Sequence, residues 1–205
     1  MMIRLKTSKC GRSFKSWGDL RAAPPLALLL AILLTAAAAP ATSLLRMSLE
    51  KLSRAATVIV RAHCLENSTA WEGGEIWTFT SFDVQEVWSG SAPGKITVRL
   101  LGGRVADVTS TVSGVPRFRP GEEVVLFLEP TPRGDFSIVS WQQGAFRIRP
   151  APRLTEETVT QDTAAFPTFD PTMRQFQTAG IRNLPLATFR AQVAAALRAR
   201  TTRKP

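Results

Sequence analysis

One histidine and two cysteines among 205 residues leave little material for nucleophilic or metal chemistry. Cys10 lies in a basic N-terminal segment that reads as a targeting signal, so a processed chain keeps Cys64 alone. That excludes an intramolecular disulfide, and it excludes a zinc site made from the usual His and Cys ligands; carboxylate ligands remain open. Folding is therefore expected to need no oxidant, and no cofactor is expected. Acidic residues are missing from residue 171 onward, where Arg174, Arg182, Arg190, Arg198, Arg200, Arg203 and Lys204 stand unopposed. Long apolar runs are scarce as well. The uncharged Leu- and Ala-rich stretch 24–39 falls short of the roughly 20 residues a helix needs to cross a bilayer.

Six basic residues (Arg4, Lys6, Lys9, Arg12, Lys15, Arg21) precede that stretch, and Ala39-Pro40-Ala41 follows it with small residues where a signal peptidase reads. Residues 1–41 are thus read as a signal, with cleavage after Ala41 and export to the periplasm or the extracellular space. The long basic lead keeps a second reading open, in which residues 24–40 stay as a membrane anchor. No cysteine closes the run, which argues against a lipoprotein.

Removing the signal changes what the charge means. The whole chain carries 26 basic and 16 acidic residues, but residues 57–149 hold nine basic and ten acidic ones. The high isoelectric point belongs to the ends of the chain and not to its middle. A near-neutral middle segment in an exported protein makes nucleic-acid binding an unfavourable reading, because such binding rests on neutralised phosphates. The basic tail predicts a weak attraction to anionic surfaces.

The middle of the chain reads as strands. Residues 95–100 alternate strictly, with Ile96, Val98 and Leu100 on one face and Lys95, Thr97 and Arg99 on the other, which calls for one dry and one wet face. Residues 57–65 place Val58, Val60, Ala62 and Cys64 on one face, and residues 122–128 are apolar on both, as a central strand should be. In the long strand 75–88, Phe82 and Val84 share a parity that Val87 breaks. An extra residue near Gln85 and Glu86 would restore the facing, as a β-bulge does, and would bend the strand enough to serve two sides of a barrel.

Around these strands, residues 66–74 are expected to be a polar loop, and 102–121 mostly loop with one weak edge strand near 105–112. Residues 136–141 and 145–149 are expected to form a closing hairpin. A short helix is expected at 48–56 with Ser48 as N-cap. A C-terminal helix is expected at 184–200, with Leu186, Phe189, Val193 and Leu197 on one stripe and Pro185 in its first turn. The predicted fold is mainly β, a small OB-like antiparallel barrel of bent strands with a helix before and after it. Its divisions are a signal or anchor (1–41), a barrel domain with leading helix (42–149), an irregular arm (150–183), and a helix with basic tail (184–205).

Few motifs carry chemistry. His63 and Cys64 are adjacent in a strand and point to opposite faces, so the imidazole cannot activate its neighbour's thiol; Cys64 reads as a buried small hydrophobe. The pairs Glu122-Glu123 and Glu156-Glu157 lack any sign of the apolar pocket that general acid–base work needs. Gly102-Gly103-Arg104 is not followed by the helix of a phosphate loop and reads as a strand-ending turn. Asn67-Ser68-Thr69 fits a glycosylation acceptor, relevant only in a eukaryotic secretory route. Trp71, Trp77, Trp88 and Trp141 are core or binding face. The segment holding Arg117, Phe118 and Arg119 is the candidate partner-binding loop: two arginines flank an aromatic that either meets a partner or caps the barrel.

The strand headed Ala55-Ala56-Thr57-Val58-Ile59-Val60-Arg61-Ala62, the bent strand ending Val87-Trp88-Ser89-Gly90, and Gly121-Glu122-Glu123-Val124-Val125-Leu126-Phe127-Leu128 with its closing hairpin resemble the netrin-like module. This is the OB-type barrel of the tissue inhibitors of metalloproteinases, and the resemblance spans residues 55–149. It implies a barrel. The inhibitors' mechanism needs an N-terminal cysteine and disulfides, whereas a processed chain here would begin Thr42-Ser43-Leu44, so that mechanism does not transfer. The expected function is a non-enzymatic exported module that binds a protein or cell-envelope component. The alternatives are a protease inhibitor of another kind and a carboxylate-based hydrolase.

Overall fold

The computed structural model describes residues 45–150, 156–165, 168–178 and 180–201. The signal-or-anchor expectation and Cys10 fall outside the described residues, as does the end of the basic tail. Among the described residues no helix is long and apolar enough to cross a membrane.

Ser48 caps helix α1 (Leu49–Ala55), its hydroxyl accepting from the Lys51 N–H at 3.3 Å. The chain then enters β1 (Val58–Glu72), which pairs antiparallel with β2 (Glu75–Ser89), and β3 (Lys95–Leu101) continues the meander. A separate small hairpin follows, β4 (Gly103–Val105) with β5 (Val108–Ser110). Next come β6 (Glu123–Pro130), β7 (Phe136–Ile138), a 3-10 turn (Trp141–Gly144) and β8 (Ala145–Pro150). β9 (Glu157–Gln161), the hairpin β10 (Thr168–Asp170) with β11 (Gln175–Gln177), β12 (Leu184–Pro185) and helix α2 (Leu186–Thr201) complete the order.

β1 holds β2 on one edge and β6 on the other, β3 meets β7, and β7 meets β6, so the neighbours β1, β2, β3, β7 and β6 close into a ring. The closure is thin at one point, since the parallel contact between β3 and β7 is the single pair Val98 and Phe136. The result is the mainly β, OB-like barrel with a leading and a trailing helix that the strand patterns predict.

Alternation along the strands builds two apolar layers. Val58, Val60, Ala62, Cys64, Phe82, Ile96, Val98, Val124, Leu126 and Leu128 fill the barrel. Ile59, Val125, Phe127, Phe146 and Val159 face the other way and are covered by Leu52 of α1 and Phe189 and Val193 of α2. β6 is thus buried on both faces because helices cover its outer side. The ring of Phe189 lies 4.7 Å from that of Phe146 and 6.0 Å from Trp88.

The bend in β2 sits where its phase breaks. Pairing with β1 passes from Arg61 opposite Glu86 to Ala62 opposite Val84, leaving Gln85 as the extra residue. Further shifts skip Trp88 on β2 and Leu65 on β1.

Four expectations need correction. Residues 66–72 are the far half of β1, paired with residues 75–81 of β2; side chains exposed on both faces leave no alternation to read. The closing hairpin is absent: β7 and β8 both pair with β6, as one strand interrupted by the 3-10 turn, where Ser140 and Trp141 take φ of 53° and 54°. The arm 150–183 is not irregular throughout, since β9 extends the main sheet beside β8 and β10 pairs with β11. In β9 only Val159 is aliphatic among Thr, Gln and Glu, which hides the strand in the sequence. Pro185 precedes α2 in β12, opposite Thr158, and does not lie in the helix's first turn.

Candidate functional site

The candidate loop Arg117-Phe118-Arg119 does not act as one unit. Phe118 is 5% exposed and forms an edge contact with Phe82 inside the barrel, the ring centroids 5.2 Å apart. It caps the core, and it also lines the cleft at the barrel mouth. The arginines on either side are exposed but line different grooves, Arg117 at the barrel mouth and Arg119 beside Glu122, Glu123, Arg147 and Arg149.

At the mouth, the far halves of β1 and β2 turn polar side chains inward. Thr80 donates to Asn67 Oδ1 at 2.6 Å, and Asn67 Nδ2 donates to the Phe118 carbonyl at 2.9 Å. Thr78 donates to the Gly102 carbonyl at 2.7 Å and Thr69 to the Arg104 carbonyl at 2.6 Å. These bonds tie the β4–β5 hairpin across the opening. Arg117 Nη1 donates to Thr78 Oγ1 at 3.1 Å and Nη2 to the Ser110 carbonyl at 3.5 Å, while Arg104 Nε donates to the Ala106 carbonyl at 3.1 Å.

The glycine pair makes this approach possible. A Cβ at Gly102 would stand 2.8 Å from Arg117 Nη2 and 2.7 Å from the Ser110 carbonyl, and one at Gly103 would stand 2.6 Å from Thr78 Oγ1. Both residues have positive φ, 87° and 147°. The motif is a strand-to-hairpin junction, and it delivers Arg104, which the sequence places only in a strand-ending turn, to the same cleft as Arg117. The adjacent glycines were the signal, since they mark a close backbone approach.

The mouth cleft has a volume of about 230 Å³, and its lining among the described residues, Asn67, Thr69, Thr78, Arg104, Arg117 and Phe118 with Leu100 and Gly103, contains no carboxylate. Neither arginine forms an ion pair among the described residues, whereas Arg61, Arg99, Arg133, Arg147 and Arg190 all do.

Elsewhere the charged groups satisfy one another. Arg61 bridges Glu123 (3.0 Å) and Glu157 (2.8 Å), and Arg147 bridges Glu122 and Asp162 (2.6 Å), so Glu122 and Glu123 go to different arginines, and Glu157 is engaged while its neighbour Glu156 is exposed. Burial works against the charge of Arg147, but Asp162 and Glu122 outweigh it and hold the guanidinium pKa above its usual value. Burial pushes the Asp162 carboxyl up despite Arg147 beside it. Arg99 lies over the Trp77 ring at 4.5 Å and pairs with Glu72; its Nε is 3.0 Å from Asp135 Oδ2 but poorly aligned for a hydrogen bond.

Cys64 is fully buried with its pKa pushed up to about 11, first by burial and then by Glu122, with Arg147 opposing. His63 is half-buried on the other face of the strand. Trp77 and Trp88 are half-buried under Arg99 and Arg190, while Trp71 and Trp141 are exposed on β1 and on the 3-10 turn. Among the described residues no cluster of His, Cys, Asp and Glu could hold a metal ion.

A larger cavity of about 860 Å³ is lined by residues 46–50 and by Gln192, Ala195 and Ala196 of α2. Its buried amides are already committed: Gln143 accepts from the Met47 N–H at 2.6 Å and donates to the Leu45 carbonyl at 2.7 Å, and Gln161 donates to the Gln143 carbonyl at 2.6 Å. They fasten the N-terminal segment to the sheet. No protein-family model matches the chain, and comparison with curated proteins finds no match.

Proposed function

We propose that this chain is an exported, non-enzymatic binding module that recognises a protein or a cell-envelope component, built on a barrel of the netrin-like kind. The observation that carries the reading is the mouth cleft, where Arg104 and Arg117 stand without carboxylate partners while no nucleophile or acid–base pair accompanies them. Arginines that are not needed for internal ion pairs are free to meet the acceptors of a partner. Of the paired carboxylates, Glu122, Glu123 and Glu157 are engaged by Arg61 and Arg147.

The test is co-purification from the envelope fraction with wild-type protein and with an R104A/R117A variant. A specific component retained by the wild type and lost by the variant supports the reading. Recovery of the same material with both proteins overturns the assignment to this cleft. Substrate turnover, or block of a protease, by a purified protein that recruits nothing overturns the binding-module reading.

A further inference from the structure

We infer that the barrel mouth is an oxyanion-binding subsite that takes a single terminal carboxylate or phosphoryl group projecting from a larger partner. The inference rests on the binding-module reading and adds the chemistry of the group recognised.

Size sets the first limit. A cleft of about 230 Å³ lies below the roughly 300–1,000 Å³ of pockets that enclose whole small molecules, so it admits one functional group and not an entire ligand. Leu100 and Phe118 give its lining an apolar part, and Asn67, Thr69, Thr78, Arg104 and Arg117 carry its polar groups.

The donors set the second. A guanidinium offers five N–H groups. Arg117 commits one to Thr78 and one to Ser110, and Arg104 commits its Nε to Ala106, which leaves most of both forks open. The Thr69 and Thr78 hydroxyl hydrogens are already given to the Arg104 and Gly102 carbonyls. Free donor capacity in the cleft therefore lies mainly in the two guanidinium groups, with the second amide hydrogen of Asn67 beside them. Two cations lining one cleft with no carboxylate between them favour a negatively charged acceptor, and a guanidinium fork matches the paired oxygens of a carboxylate or phosphate.

The architecture holds the subsite ready. Arg117 is fastened to Thr78 of β2 and to the β5 end at Ser110, and the Gly102-Gly103 backbone packs so closely that any side chain there would displace the Arg117 guanidinium or the Thr78 hydroxyl. A group fixed before the ligand arrives loses little freedom on binding.

The experiment is titration of the full-length protein with inorganic phosphate and, separately, with acetate, at ionic strength matched with potassium chloride. The readout is the 1H–15N resonances of the Arg117 side chain and the Thr69 and Thr78 amides. Saturable shifts at these positions are expected, weakened about tenfold or more in R117A, as loss of a charge-assisted hydrogen bond predicts. R104E, a charge reversal on the exposed hairpin, should abolish them while the core amides of Val60 and Val98 stay in place. Tighter binding of acetate marks a carboxylate-bearing partner, tighter binding of phosphate marks a phosphoryl-bearing one, and both support the subsite. Shifts that stay linear, persist in R104E, or map to Arg119 and Arg149 overturn it. If the anions fail while an envelope component still depends on Arg104 and Arg117, the oxyanion inference falls and the binding-module reading stands.

Discussion

Cys64 and Arg147 both feel the Glu122 carboxylate, yet burial decides their chemistry differently. Among the described residues no hydrogen-bonding partner favours the thiol's charged form, so burial keeps it neutral. The guanidinium has Asp162, Glu122 and the Arg117 carbonyl as acceptors, at 2.6 Å for Asp162 and for Arg117, and stays charged. A thiol whose pKa is raised on folding stabilises the fold fully below its ordinary value of 9.0, and that contribution is lost as pH rises through about 11. Cys64 should therefore be labelled by a thiol reagent only when the protein opens. With Cys10 replaced by serine, labelling at about pH 8 should run at least about a hundredfold slower than for free cysteine and track denaturant-induced unfolding. Rapid labelling of the native protein would show that the thiol is accessible. The burial of Cys64 was legible from its parity with Val58 and Val60. The separation of Arg117 from Arg119 was not, because Arg117 is held by Thr78, 39 residues away along the chain.

At the scale of elements, strands with one wet and one dry face announced themselves, and so did the bulge at Gln85. Elements whose side chains meet water on both faces did not, as the far half of β1 shows, and neither did β9, where Thr and Gln stand in for apolar residues. α2 is held chiefly by tertiary contact. Phe189 is fully buried among Trp88, Phe127 and Phe146. Phe189→Ala should cost about 3–5 kcal/mol in urea unfolding, as for other buried aromatics replaced by alanine. A loss below about 1 kcal/mol would mean that α2 does not cover the sheet as described.

For the whole molecule, the ring of strands is strong where β1 runs alongside β6 from Val58 opposite Leu128 to His63 opposite Glu123, and weak where Val98 meets Phe136. Native-state hydrogen exchange should find the amides of β1 and β6 opening only with global unfolding, and those of β7 exchanging through local opening at lower free energy. Equal protection of β7 and β1 would show a barrel closed evenly all round.

The sequence by itself determined the mainly β class, the inward face of each well-alternating strand, the bulge that bends β2, and the scarcity of His and Cys. Those properties follow from the period of side chains along one strand and from composition, and both are local. Tertiary structure alone decided that Phe118 points into the barrel, that Glu123 and Glu157 go to Arg61 while Glu122 goes to Arg147, and that Arg104 and Arg117 reach one cleft. The reason is physical: ion pairs and clefts are made between strands, and which strands become neighbours is fixed only when the ring closes.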